Sequence, residues 1–357
     1  MTGNCRVRFG EIPCAYTTHH PLVANVKNRQ YTFNFILMST KNKIYTTIWI
    51  ISTIVFLVEL IFKFFPKWII QSVNYVYVFS FILSLLDSNF LKEQIKHREK
   101  LIEFKGNDIW GTLIIVIGTC GVLLFIGLKT YVILVVAIST ILISIWLFIK
   151  LKNGITRTYI VNGLILGSLS AIGMYNNIPS LIVIFLIISS TFILGSVLND
   201  RFPLTIILIN QHSFVPALKS FAIGCLFAMP MALSNLKDSI TTNALNWITQ
   251  FWQPILALGA GIMEETWMRL FIIVFIYALI SSKTTKKYIP ILTALIISSV
   301  FFGFGHSNYI SIQNCINLTI LYGLPMGFLL VKRDFEAAIG YHFMIDFVGA
   351  IGVLASH

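Results

Sequence analysis

Four carboxylic acids, Glu59, Glu264, Glu265 and Asp346, lie well inside long apolar runs, where an ionised side chain is costly unless it is paired or hydrated. Glu59 has Lys63 four residues on, so the two can neutralise each other on one helix face, and its role reads as structural. The other three fall in the last hundred residues, together with Arg269, His306 and His342. In the run Met263-Glu264-Glu265-Thr266-Trp267-Met268-Arg269, Glu265 and Arg269 are four apart and can form an ion pair within one helix. Glu264 is turned about 100° away and lacks that partner. A carboxylate in so poorly solvated a place suits a general base. His306 closes the run Phe301-Phe302-Gly303-Phe304-Gly305-His306, and a histidine at the end of an apolar span can equally be a hydrogen-bonded interfacial residue. His342 and Asp346 are again four apart, a spacing at which the carboxylate accepts from one ring nitrogen and orients the other. Polar groups on three separate apolar segments make physical sense if they share one hydrated pocket.

The elements that must position these groups are transmembrane helices. Of 357 residues 57% are hydrophobic and 11% charged, less than half the roughly 25% charged fraction of soluble domains. With about 20 apolar residues needed per crossing, the candidate spans are Ile48 to Phe65, Trp68 to Leu86, Ile109 to Leu128, Tyr131 to Ile149, Tyr159 to Tyr175, Leu181 to Leu198, Phe214 to Leu233, Ile255 to Ile280, Ile289 to Ser307, Ile312 to Val331 and Phe335 to Leu354. The expected fold is therefore an all-α polytopic bundle of about eleven spans, with the chemistry in the last four. The stretch Pro203 to Asn210 is too short to cross. Trp68, Trp110, Tyr131, Tyr159 and Trp252 stand near span ends, as interfacial anchors do.

The net charge of +12 would elsewhere suggest nucleic acid, but in a membrane protein it records topology, and no nucleic-acid partner is expected. With the amino terminus cytoplasmic, 20 lysines and arginines fall in inside segments and Lys63, Lys67, Lys129 and Lys237 outside, which puts the carboxy terminus outside. The chain then divides into a polar basic segment over 1–46, accessory helices over 47–234 and a catalytic core over 235–357. Cys5, Cys14, His19 and His20 fit none of the common zinc spacings, and the five scattered cysteines define no disulfide framework. The first 45 residues lack a cleavable signal sequence, so the first span would serve as its own signal. On simple helical rise Glu264 lies roughly 14 Å from one boundary and His342 about 10 Å from the other. For them to meet His306, a helix must tilt or dip.

Glu264-Glu265-x-x-x-Arg269, then Phe302-x-x-x-His306, then His342-x-x-x-Asp346 resemble the ordered motifs of the CPBP family, the CAAX prenyl proteases and bacteriocin-processing or immunity proteins also called Abi. The resemblance covers about the last hundred residues. It implies a glutamic-type intramembrane endopeptidase without cofactor or metal, working among membrane lipids on a peptide or prenylated protein. By position, Glu264 with His306 would activate water, His342 with residue 346 would stabilise the oxyanion, and Glu265, Arg269 and Phe302 would support them. Prenyl-protease members carry Asn at the last motif position. Asp346 cannot donate to an oxyanion when ionised, so its expected part is to orient His342. Three other readings compete: a zinc hydrolase using the two histidines and a carboxylate, an ion-coupled transporter, and a non-catalytic immunity or scaffold member. Against the first stands the absence of a His-Glu-x-x-His helix, and against the second the absence of a two-fold repeat of broken helices.

Overall fold

The computed structural model describes residues 40–63, 65–85, 129–174, 177–211, 214–242, 253–281, 284, 288–306 and 312–356. In chain order the helices are α1 (Thr40–Phe62), α2 (Lys67–Leu85), α3 (Lys129–Leu151), α4 (Arg157–Ala171), α5 (Ile178–Arg201), α6 (Phe214–Thr242), α7 (Ala257–Glu264), α8 (Ile272–Ser281), α9 (Tyr288–His306), α10 (Ile312–Leu318), α11 (Leu324–Lys332) and α12 (Phe335–Ser356). Two π-helical turns, Glu265–Phe271 and Thr319–Gly323, join α7 to α8 and α10 to α11.

Among the described residues seven helices are long and apolar enough to cross a membrane, against the eleven spans expected. The chain is an integral, multi-pass membrane protein. Ile109 to Leu128 lies outside the described residues, as does the Cys5, Cys14, His19 and His20 group. The expected span over Tyr159 to Tyr175 is met by a helix of 15 residues, short of a full crossing. The stretch from α7 to α8 carries Glu264, Glu265 and Arg269, which lower its apolar character.

Small residues set the packing, as they must where lipid removes the hydrophobic drive between helices. On α4, a Cβ on Gly163 would lie 3.0 Å from the Ser189 carbonyl oxygen and one on Gly167 2.9 Å from that of Phe185, so the helix presses directly onto α5. Among the described residues the α6 and α12 helices form the most extensive interface. There Gly224 abuts the Ala337 carbonyl and Gly340 the Phe221 carbonyl, and the Cys225 thiol donates to Gly340 O at 3.2 Å.

Pro230 interrupts α6 and frees carbonyls one turn earlier. The first two helices take them up: Trp49 Nε1 donates to Leu226 O at 3.2 Å, and the Tyr77 hydroxyl donates to Phe227 O. Glu59 closes the turn that follows α1, its Oε2 accepting from Phe65 N at 2.6 Å, while Lys63 adopts a left-handed backbone (φ 50°) that redirects the chain.

The segment after α5 does not cross. Irregular backbone at membrane depth must be satisfied by protein, and here Asn199 bonds the Leu204 and Thr205 amides at 3.1 and 3.0 Å, Thr205 Oγ1 donates to Leu330 O at 2.6 Å, and Phe335 N donates to Ile206 O at 2.9 Å. Tyr159, expected as a lipid anchor, is buried and donates to Asp200 instead; Trp68 is exposed.

Substituting Gly340 or Gly224 by Ala would drive a methyl into backbone rather than into a flexible side chain. Each is expected to lower stability by about 1–3 kcal/mol, the usual cost of overpacking. Thermal unfolding of the solubilised protein checks this, and unchanged midpoints would contradict the seam.

Candidate functional site

The last residue of α7, Glu264, opens the widened turn that carries Glu265 and Arg269. In a π turn each amide reaches back five residues rather than four, a local irregularity often found at functional sites. Gly261, one turn earlier, would place a Cβ only 3.4 Å from Phe343 N and 3.7 Å from the His342 Cβ, so α7 can lie close against α12. On the opposite side Gly303, facing Thr319 and Cys315, and Gly323, facing Ser299, bring α9 and the α10–α11 pair together.

Within this frame the residues singled out in the sequence converge. His306 Nε2 lies 3.2 Å from Glu264 Oε1, and His342 Nε2 lies 3.7 Å from Glu264 Oε2. His342 Nδ1 lies 3.0 Å from Glu265 Oε1, and its Nε2 3.4 Å from Asp346 Oδ2. One imidazole thus faces three carboxylates. His306 is held in turn by its own helix, with Nδ1 3.1 Å from Phe302 O. Groups that simple rise placed at different depths are therefore in contact.

Burial is graded across the cluster. Side-chain exposure is 0% at Glu265 and 3% at His342, but 36% at His306 and 39% at Asp346, so the site has a closed side and an open one.

The expected ion pair between Glu265 and Arg269 is not the contact made. Glu265 turns to α12 and His342 Nδ1, while Arg269 turns to α9, donating from Nη1 to Ser298 O and Ser298 Oγ at 3.3 and 3.2 Å. Across helices each finds a partner better placed than its neighbour one turn away. The guanidinium also lies over the Phe302 ring, 4.6 Å from its centre, and the other neighbours of that ring are His306, stacked at 4.2 Å, and His342, edge-on at 5.9 Å. Phe302 is thus the common wall of the cation and both histidines. Ser298 completes the arrangement by donating to Met268 O at 2.5 Å. Its role is the one the sequence reading missed, and the Ser298-Ser299 pair within an apolar span was the available signal. Trp267 anchors the same turn to α3 through a 3.0 Å bond from Nε1 to Thr140 Oγ1. Among the described residues no group of three or more His, Cys, Asp and Glu side chains has the geometry to hold a metal ion.

Carboxylates and imidazoles so gathered between membrane helices define a polytopic membrane protein with a buried acid–base centre. Residues 245–348 match the family described as Rce1-like, type II CAAX prenyl endopeptidase, in agreement with the motif resemblance. That family is one of membrane peptide hydrolases. The match takes in all seven site residues but less than a third of the chain. No curated protein and no solved structure matches the chain.

Arg269 is 0% exposed, and its removal would take away the cation whose charge interacts with the Glu265 and Glu264 carboxylates. Arg269→Ala is expected to cost about 3–5 kcal/mol, as leaving buried carboxylates without a compensating cation does. The readout is folded yield and melting temperature in detergent; a variant as stable as the parent would show that the guanidinium is not needed there.

Proposed function

We propose that the chain is an intramembrane endopeptidase of the CAAX-protease and bacteriocin-processing type, glutamic in mechanism and independent of metal. The observation that carries this reading is the placement of Glu264 between two histidines, at 3.2 and 3.7 Å, on three different helices. A water held by Glu264 and His306 gives a proton to Glu264 and attacks the scissile carbonyl. His342 donates from Nε2 to the oxyanion that forms. Glu264 then returns its proton to the leaving amine, so the step balances as peptide plus water giving acid plus amine.

Glu265 fixes the His342 ring through Nδ1, and Asp346 accepts from the other nitrogen until the oxyanion replaces it. Donation from both ring nitrogens requires the imidazolium, whose charge the surrounding carboxylates offset. Phe302 and Arg269 set the ring planes. We assign the core to 235–357, accessory helices to 47–234 and a polar segment to 1–46. The amino terminus is cytoplasmic and the carboxy terminus outside, in the cell membrane if the source is prokaryotic. The substrate is a peptide or a prenylated protein bound among lipids.

Glu264→Ala and His306→Ala should each lower peptide cleavage by membranes roughly 10²–10⁴-fold, the typical contribution of acid–base catalysis, while folded protein stays near its normal level. Activity should persist in a metal chelator. Full cleavage by either variant would defeat the assignment, and activity lost to chelator and restored by zinc would reverse the metal-free part of it. Proteomic comparison of membranes carrying the parent and the Glu264 variant would identify the substrate.

A further inference from the structure

The α9 helix meets the segment from Glu264 to Arg269 at two places. At one, His306 Nε2 lies 3.2 Å from Glu264 Oε1. At the other, about two turns back along α9, Ser298 donates from Oγ to Met268 O at 2.5 Å and accepts from Arg269 Nη1 at Oγ and at its carbonyl oxygen, at 3.2 and 3.3 Å. Phe302 stands between them in sequence, and Ser298, Phe302 and His306, spaced by four, share one face of the helix. The first contact is partly exposed, at His306; the second is closed, with Ser298 and Arg269 both fully buried.

Among the described residues every hydrogen bond of the guanidinium goes to Ser298, because Nε and Nη2 of Arg269 are buried and bond no group there. The same hydroxyl answers a demand of the π turn. In an α register the Ile272 amide would bond Met268 O; here it bonds Trp267 O and Arg269 O, and Ser298 donates to Met268 O. One side chain thus ties the backbone of the turn and, through Arg269, the Phe302 ring against which His306 stacks. Its neighbour Ser299 is equally buried but faces Gly323, and its hydroxyl bonds nothing among the described residues.

We infer that Ser298 is a positioning residue for the hydrolysis: by holding Arg269 and the widened turn against α9, it fixes Glu264 and His306 at the separation from which they hold water. The inference rests on the protease reading and adds to it a residue outside the three motifs.

The test compares Ser298→Ala, Ser298→Thr and the control Ser299→Ala in the full chain, purified in detergent with isotope-labelled histidine. The imidazole nitrogen resonances of His306, assigned with His306→Gln, should move in Ser298→Ala, return to the parent positions in Ser298→Thr, which keeps the hydroxyl, and stay in place in Ser299→Ala. On a quenched fluorogenic peptide with a farnesylated CAAX terminus, kcat per folded molecule should fall roughly ten- to a hundredfold in Ser298→Ala, the scale of a misplaced catalytic group, with KM little changed and with recovery in Ser298→Thr. A hydroxyl that serves stability alone would lower the melting temperature and nothing else, so unmoved His306 resonances or an unchanged kcat in folded Ser298→Ala overturns the inference. Should that variant fail to fold, Ser298→Cys, which nearly keeps the volume but bonds weakly, carries the same readouts, and failure of both to fold overturns it equally. The histidine resonances do not depend on cleavage, so moved resonances together with identical membrane proteomes for the parent and the Glu264 variant would sink the protease reading alone.

Discussion

Burying ionisable groups where water is scarce is the constraint to which the rest of the structure answers. A carboxylate or guanidinium at membrane depth must find compensation inside the protein. Arg269 bonds Ser298 and covers the Phe302 ring across the helix interface, while the Glu265 and Glu264 carboxylates offset its charge. Glu265 and Glu264 also meet imidazoles on α12 and α9. Compensation across helices, rather than along one, ties together segments that lipid alone would not hold, and it places two carboxylates adjacent in sequence around a single ring.

Close backbone approach makes those contacts possible. Gly261 sits where α7 meets α12, Gly303 and Gly323 where α9 meets the α10–α11 pair, and Gly224 and Gly340 let α6 lie against the helix that carries His342. Aromatic packing extends this frame outward. Phe81 of α2 stacks on Tyr341 at 5.7 Å, immediately before His342, and on Phe227 of α6 edge-on at the same distance. The site's precision is therefore set partly by helices that contribute no polar group to it.

The helical class and the residues of the cluster were readable from sequence because both rest on simple signals: long apolar runs, and charged or imidazole side chains that interrupt them at four-residue spacing. Several features were not readable. Spacing along one helix suggested Glu265 with Arg269, yet partners on α12 and α9 outcompete a neighbour one turn away, and such contacts leave no local periodic mark. The π turns are equally silent, since Glu265 to Phe271 reads as ordinary helix. Run length also does not give helix length: Tyr159 to Tyr175 has the apolar content of a crossing, yet the α-helix there runs only from Arg157 to Ala171 and lies against α5. Tyr159 looked like an interfacial anchor by type and position; only the fold reveals Asp200 as its partner.

The carbonyls released by Pro230 bear on how far the family segment can stand by itself. That segment begins at residue 245, yet α6 ends at Thr242, and the carbonyls of its proline turn are bonded by Trp49 and Tyr77 from the far end of the sequence. The segment that carries the motif residues is thus not a transplantable cassette in this chain. What the upstream helices must preserve across substitutions is bulk and a few hydrogen-bond donors rather than any signature, so they can drift beyond recognition in letters while staying fixed in shape.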